Sequence, residues 1–233
     1  MSSTEAALQA PPLRVFFDAI AFRYDFLNNL LSFRLDELWR KKSAAIVLRN
    51  SAASSILDLG IGTGKFIRVF MEAKKWKRLA GIDFSFPMLH AAKKILPSGV
   101  GFLRADFQSL PFRKGSFDLV ISAFALRSVR QMPLFLQGVW EVLSEKGKAA
   151  FLCLTRPENI FWRIFYFPYL KFYLPVVGGL VSGNFQAYRF LSDSILSFQE
   201  PEKTASMMRE TGFQSVKIHR FSFGIATLIV GEK

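Results

Sequence analysis

Asp58, Gly60, Gly62 and Gly64 alternate through one short turn, within Ser54-Ser55-Ile56-Leu57-Asp58-Leu59-Gly60-Ile61-Gly62-Thr63-Gly64-Lys65. An apolar strand runs into that turn, and behind it Phe66, Ile67, Val69 and Phe70 recur at helical spacing. Each glycine removes a Cβ, so the backbone can bend sharply and bring the N–H groups of the next helix up to a ligand. The chemistry this implies is the cradling of a nucleotide-like cofactor. A dinucleotide fingerprint would need glycine at position 65, where Lys65 stands. A second carboxylate, Asp83, closes the following strand about twenty residues beyond the turn, where an acidic side chain accepts hydrogen bonds from both ribose hydroxyls of an adenosyl group. Asp83 would serve equally well as the N-cap of the next helix, a task Ser85 could take instead.

These residues need a scaffold, and the alternation of strands and helices supplies one. Strands are predicted over 54–59, 78–83, 100–105, 117–124 and 149–154, with helices behind the turn and over 87–96 and 133–143. The near-continuous apolar run at 117–124 suits a parallel strand covered on both faces. This is a doubly wound α/β sheet, which binds its ligand at the carboxyl ends of the strands. Asp58, Asp83, Asp106 and Ala123-Phe124 all fall at or near those ends. Helical segments are predicted over 15–31, with a break near Tyr24-Asp25, and a further helix before residue 50 carries the apolar stripe Leu35, Leu38, Trp39, Ala45, Ile46 and Leu48. After the core, 201–211 reads as a helix capped by Gly212, and 214–220 with 225–230 as a terminal hairpin that forms an antiparallel edge. The division expected is a loose tail over 1–14 and a single domain over 15–233: N-terminal helices 15–50, cofactor core 54–155, a lid 160–198, and the C-terminal helix and hairpin 201–233.

Among 233 residues, Lys and Arg exceed Asp and Glu to give a net charge of +13, but the basic residues are scattered along the chain. Such a balance suits nucleic acid, an anionic membrane surface or plain solubility. The lone Cys153 has no internal disulfide partner and sits in an apolar run, which implies a core residue in a reducing compartment. The first residues lack the charged and apolar regions of a signal peptide. The segment 160–181 holds Phe161, Trp162, Phe165, Tyr166, Phe167, Tyr169, Phe172 and Tyr173 and nearly matches a bilayer span, although Arg163, Lys171, Pro168 and Pro175 count against one. It could be a core helix, an aromatic lid over an apolar substrate that also rests on a membrane interface, or a stacking platform for nucleic acid.

The spacing Asp58-x-Gly60-x-Gly62-x-Gly64 is similar to motif I of class I S-adenosylmethionine methyltransferases. Further motifs follow in order: Tyr24-Asp25-x-x-Asn28, Ser32, Trp39-Arg40, Leu110-Pro111-Phe112, Ser116-Phe117-Asp118, Phe124-Ala125-Leu126-Arg127-Ser128-Val129, Tyr173-Leu174-Pro175 and Ala187-Tyr188-Arg189-Phe190-Leu191. With these the chain, from about residue 15 onward, resembles the ubiquinone/menaquinone biosynthesis C-methyltransferase family. The resemblance implies a Rossmann-like class I S-adenosylmethionine-dependent methyltransferase fold. It implies S-adenosylmethionine contacts at Asp58, Gly60, Gly62, Thr63, Gly64, Asp83 and Met88, with Asp106-Phe107 beside the adenine and Ala123 on the backbone near the cofactor. The chain departs from the family pattern at Ala123 in place of serine, Ser128 in place of Asn, Arg34 in place of Gly, and Asp36 where His is frequent. Ser122 stands next to Ala123 as a neighbouring hydroxyl.

The reaction implied by the resemblance is methyl transfer to a ring carbon of a prenylated quinol. Such a carbon needs electron density, which a reduced hydroquinone has ortho to an ionised oxygen; at neutral pH only about one phenol in 10³ is ionised without help. Arg127 is the expected source of that help, because a guanidinium stays protonated and can stabilise an oxyanion. Proton acceptance falls to a water, Tyr188 or Tyr24, and no metal ligand set is expected from His90 and His219. Demethylmenaquinol is the expected substrate, with a ubiquinone-pathway benzoquinol as the alternative. A nucleic-acid methyltransferase or a basic nucleic-acid-binding module is the reading from another class. The expected location is cytoplasmic, peripheral to the inner face of the membrane.

Overall fold

The computed structural model describes residues 29–233. Tyr24 and the helical segments predicted over 15–28 lie outside the described residues.

Seven strands form one sheet: β1 (Ser55–Leu59), β2 (Arg78–Asp83), β3 (Val100–Arg104), β4 (Phe117–Ala123), β5 (Leu143–Leu154), β6 (Gln214–Phe221) and β7 (Ala226–Glu232). Their order is β3-β2-β1-β4-β5-β7-β6. The first five strands are parallel, as expected for βαβ units, while β7 runs antiparallel between β5 and the edge strand β6. The strand order reverses between β1 and β4, so the crevice for a ligand opens at their carboxyl ends.

Helices cover both faces. On one side α1 (Leu35–Leu48), α2 (Lys65–Ala73) and α3 (Phe86–Ile95) pack through Trp39, Phe66, Phe70 and Leu89. On the other, α4 (Met132–Val142) and α8 (Pro201–Thr211) pack through Phe135, Val139 and Met208. Between β5 and α8 the chain forms α5 (Ile160–Pro168), a π-helical turn (Tyr169–Tyr173), α6 (Leu174–Ser182) and α7 (Phe185–Ser197), which build a separate apolar cluster around Tyr166, Leu170, Leu174 and Tyr188.

Three expectations change. Strand β5 begins at Leu143 rather than 149, because Glu145-Lys146-Gly147 loops out as a bulge between the Phe117–Leu143 and Leu119–Lys148 pairs, with Lys146 at φ +62°. Helix α1 buries Asp36, Trp39, Arg40, Ser43, Ala44 and Val47, whereas Leu38 and Ala45 of the predicted stripe face solvent. The helix is rotated because Asp36 and Arg40 pair inside, at 2.7 Å. The aromatic stretch is no core helix: Ile160, Phe165, Phe172 and Leu180 are 60–70% exposed, while Tyr166, Leu170, Leu174 and Gly178, one turn apart, face inward. Pro168 lacks an N–H and crowds the preceding turn, and the widened π turn directly after it absorbs the disruption.

Candidate functional site

Strand β1 delivers Asp58 and the glycine turn to the carboxyl edge of the sheet, and Gly64 at φ +85° starts α2. Gly60, Gly62 and Gly64 all have positive φ, which only glycine adopts without strain. Their surroundings differ. A Cβ on Gly60 would lie 2.9 Å from that of Ala125, and one on Gly64 would lie 2.6 Å from Leu96 Cδ1. A Cβ on Gly62 would meet nothing nearer than the Gly60 carbonyl at 4.0 Å. Gly60 and Gly64 are therefore required by packing, and Gly62 leaves open space over the turn.

The second strand closes this cradle. Asp83 Oδ2 accepts the Gly62 N–H and Oδ1 accepts the Ser85 N–H, both at 2.9 Å. Ser85 takes the N-cap of α3, accepting the Met88 N–H at 3.4 Å, so Asp83 is left to the turn. Met88 and Thr63 are buried beside it. Asp106 is exposed and accepts the Gln108 N–H, while the Phe107 ring is buried under Gly60 and meets Phe135 edge-on at 6.0 Å. Phe107 thus supports the turn from below. Ala123 ends β4 half-buried, and the neighbouring Ser122 hydroxyl does not replace the missing serine, because it donates to the Leu59 carbonyl at 2.7 Å.

Asp58 is 1% exposed, and neither carboxylate oxygen has a hydrogen-bond partner. Burial pushes its carboxyl well above the usual range, against the weaker pull of the Arg40 guanidinium. A buried, unsatisfied acceptor next to an open glycine turn, with the Asp83 carboxylate at the end of the neighbouring strand, fits an adenosyl cofactor that carries positive charge. The residues present therefore suit S-adenosylmethionine.

A cavity of about 310 Å³ opens between α1, the end of β4 and the aromatic helices. Its walls are mostly apolar, with Phe124, Trp162, Phe165, Leu170 and Ile195 among them, and its polar groups are Ser32, Asp36, Arg127 and Tyr188, together with the Tyr166 and Tyr169 phenols. Arg127 sits on a short 3₁₀ turn, Leu126–Ser128, where its Nε donates to the Phe124 carbonyl at 3.1 Å and its Nη1 to Ser194 Oγ at 2.7 Å. Tyr188 is buried in the same wall, seated against Gly178, where any Cβ would overlap its ring. Burial pushes the phenols of Tyr166 and Tyr169 up, so both stay protonated, and the Tyr169 hydroxyl donates to the Leu31 carbonyl. Burial also pushes the Cys153 thiol up to about 12, slightly offset by Arg127, which makes it inert. Arg127 and Tyr188 thus line one cavity, and the cofactor candidates gather at the glycine turn, where Gly60 abuts Ala125 two residues before Arg127.

Ser32 and Asp36 of this wall, and Arg40 behind them, have no counterpart among the predicted site residues. Asp36 Oδ1 accepts from Ser32 Oγ at 2.8 Å, and Arg40, bonded to Oδ2, lies 4.9 Å over the Phe124 ring. The available signal was an Asp and an Arg four apart on a helix otherwise read by its apolar stripe.

The sequence profile of the ubiE/COQ5 methyltransferase family matches residues 6–233. A demethylmenaquinone methyltransferase of Thermotoga maritima is 38% identical over 218 residues, 93% of this chain and 93% of that protein. A ubiquinone/menaquinone biosynthesis C-methyltransferase UbiE of Geotalea uraniireducens is 36% identical over 224 residues, covering 93% of this chain and 94% of that one. Among solved structures, an S-adenosylmethionine-dependent methyltransferase of Thermotoga maritima superposes with a TM-score of 0.69 at 19% identity, covering 95% of this chain and 100% of its own, a likeness of fold.

Proposed function

The chain belongs to the ubiE/COQ5 methyltransferase family, and from that premise we propose that it methylates a ring carbon of a prenylated quinol, demethylmenaquinol before a benzoquinol. The observation that carries this reading is the juxtaposition of Arg127 with a largely apolar, aromatic cavity beside the cofactor turn. S-adenosylmethionine, when bound, supplies an electrophilic methyl group on a sulfonium leaving group. The turn from Gly60 to Gly64 and Asp83 would hold its adenosyl half, with Asp58 beneath. Arg127 would stabilise the oxygen next to the reacting carbon as negative charge develops there, its guanidinium fixed by Phe124 and Ser194. Making the phenol two to three pK units more acidic corresponds to about 3–4 kcal/mol of differential interaction. Wide flat walls suit a fused bicyclic ring, which is the reason for placing the naphthoquinol first.

The stretch Ile160–Ser182 is long and apolar enough to cross a membrane by length and composition, and 28% of its most apolar 18 residues are buried. One face packs on α7 through Gly178 and Tyr188, while the opposite face carries exposed Phe161, Phe172, Val176 and Leu180. That asymmetry favours a helix lying in the membrane interface, with Arg163 and Lys171 reaching its headgroups, over one that spans it. The protein would then be cytoplasmic and peripheral, taking a prenyl tail from the bilayer into the cavity. The apolar walls also favour a quinol over nucleic acid, for which the net charge was the motive. Methyl transfer assayed with reduced demethylmenaquinol and a reduced demethoxybenzoquinol tests the proposal. Activity on the first is expected; failure on both would overturn it.

A further inference from the structure

Stabilising an oxyanion leaves the hydroxyl proton to be taken away, and Arg127 has no acceptor atom. Among the described residues lining the cavity, Asp36 is the only carboxylate. It is buried, and its two oxygens are oriented by different partners: Oδ2 by Arg40 Nη1 at 2.7 Å, and Oδ1 by Ser32 Oγ at 2.8 Å. The direction of the second bond matters. Ser32 donates its only proton to Asp36, which leaves the lone pairs of its oxygen free to accept from a hydroxyl in the cavity it also lines. The phenols on the same wall are poorer acceptors, since burial keeps those of Tyr166 and Tyr169 protonated and Tyr169 already donates to the Leu31 carbonyl.

We propose that Ser32 and Asp36 form the proton exit for the quinol hydroxyl, with Ser32 touching the substrate and Asp36 receiving the proton. This inference rests on the quinol reading above. In the transfer the substrate O–H bond breaks and its electron pair stays on the substrate oxygen. Ser32 Oγ takes that proton as its own passes to Asp36 Oδ1; the keto tautomer left on the substrate then gives up its ring-carbon proton and regains one on oxygen, so that one net proton reaches solvent before the next turnover. The carboxylate need not ionise a resting phenol. As the ring pair is committed to the new carbon–carbon bond, the hydroxyl acquires the character of a protonated ketone and yields its proton readily, the timing of general-base catalysis. Arg40 is a positioning residue here, fixing the carboxylate through Oδ2 at 2.7 Å so that Oδ1 faces Ser32.

The test uses the full chain, reduced demethylmenaquinol and S-adenosylmethionine, with cofactor binding measured separately. Ser32→Ala leaves the Asp36–Arg40 pair intact and so keeps the fold. It is expected to lower kcat at least tenfold, with cofactor Kd within twofold and the solvent isotope effect on kcat altered, while Ser32→Thr restores most of the rate. Asp36→Asn is expected to lower kcat by about 10²-fold or more. Ser32→Ala with wild-type kcat and an unchanged isotope effect would overturn the proposal even if Asp36→Asn does not fold. Wild-type protein that binds S-adenosylmethionine but methylates no quinol would instead defeat the functional reading beneath it.

Discussion

The Asp83 carboxylate accepts the backbone N–H of Gly62 at 2.9 Å, so the group proposed to bind the ribose also ties the glycine turn to β2. On that proposal the same side chain would set both loop geometry and ligand affinity. Asp83→Asn keeps one acceptor but loses the charge, and charge-assisted hydrogen bonds contribute about 1.5–3 kcal/mol. S-adenosylmethionine Kd measured by calorimetry should rise at least tenfold. A change under twofold would remove Asp83 from the cofactor site.

The three glycines of the turn should separate stability from binding. Gly64→Ala combines left-handed strain with displacement of Leu96, and should lose about 2–3 kcal/mol in denaturant unfolding. Gly62→Ala faces open space and should lose only the strain, about 1–2 kcal/mol. Its larger effect should be on cofactor Kd, since the new methyl projects where the ligand would approach. Equal binding defects in both variants would contradict that division.

Two carboxylates should bend the pH–stability curve in opposite directions. Burial raises Asp58 above its unfolded pKa, so the stability it contributes is fully present below about pH 4 and is lost as pH rises through its folded value. Asp118 has the reverse sign. Although burial opposes it, hydrogen bonds from the Ser54 and Ser55 N–H groups and the hydroxyls of Ser144 and Ser54 hold its carboxyl well below the usual range. Its contribution is present above the unfolded pKa and is lost as pH falls. Asp58→Asn should accordingly raise unfolding free energy at pH 7 by about 1–3 kcal/mol, the scale of an unsatisfied buried group, while weakening cofactor binding. Asp118→Asn should destabilise most at pH 7 and less at pH 3, with the difference closing only as pH falls toward the depressed folded value.

Much of the sheet was legible because strands such as Arg78–Asp83 and helices such as Pro201–Thr211 carry local punctuation: an acidic strand end, an N-terminal proline, a C-terminal glycine. The cofactor turn was legible for the same reason. The cavity wall was not, because it depends on burial of charge. Nothing in a helical periodicity distinguishes an Asp–Arg pair turned inward from one turned to solvent, and Asp36 and Arg40 turned inward carried Leu38 out with them. Likewise Phe33 and Arg34 adopt φ values of +53° and +61°, a tight reversal ahead of α1 that glycine would signal and these residues conceal.

Arg127 donates to a backbone carbonyl and to Ser194, contacts that fix it in the cavity wall. Arg127→Ala should lower kcat by about 10²–10³, as removal of one oxyanion-stabilising donor does. Cofactor Kd should stay within threefold. Arg127→Lys keeps the charge but not the fork, and should recover only part of the rate. Equal losses in kcat and cofactor affinity would instead assign Arg127 to the structure of the turn.

The outward face of the aromatic helices offers the last test, because Phe172 and Leu180 are 68% and 70% exposed and do not line the cavity. Exposed substitutions of this kind usually change stability by less than about 0.5 kcal/mol. Burying each side chain in an interface is worth about 1.5–3 kcal/mol, so losing two should matter greatly to membrane association. Phe172→Ser with Leu180→Ser should cut sedimentation with anionic lipid vesicles at least tenfold while leaving unfolding unchanged. Turnover of a short-chain, water-soluble quinol should persist, and turnover of a long-chain quinol embedded in vesicles should fall, because the defect then lies in reaching the substrate. Wild-type vesicle binding by the double variant would free this surface from any membrane role.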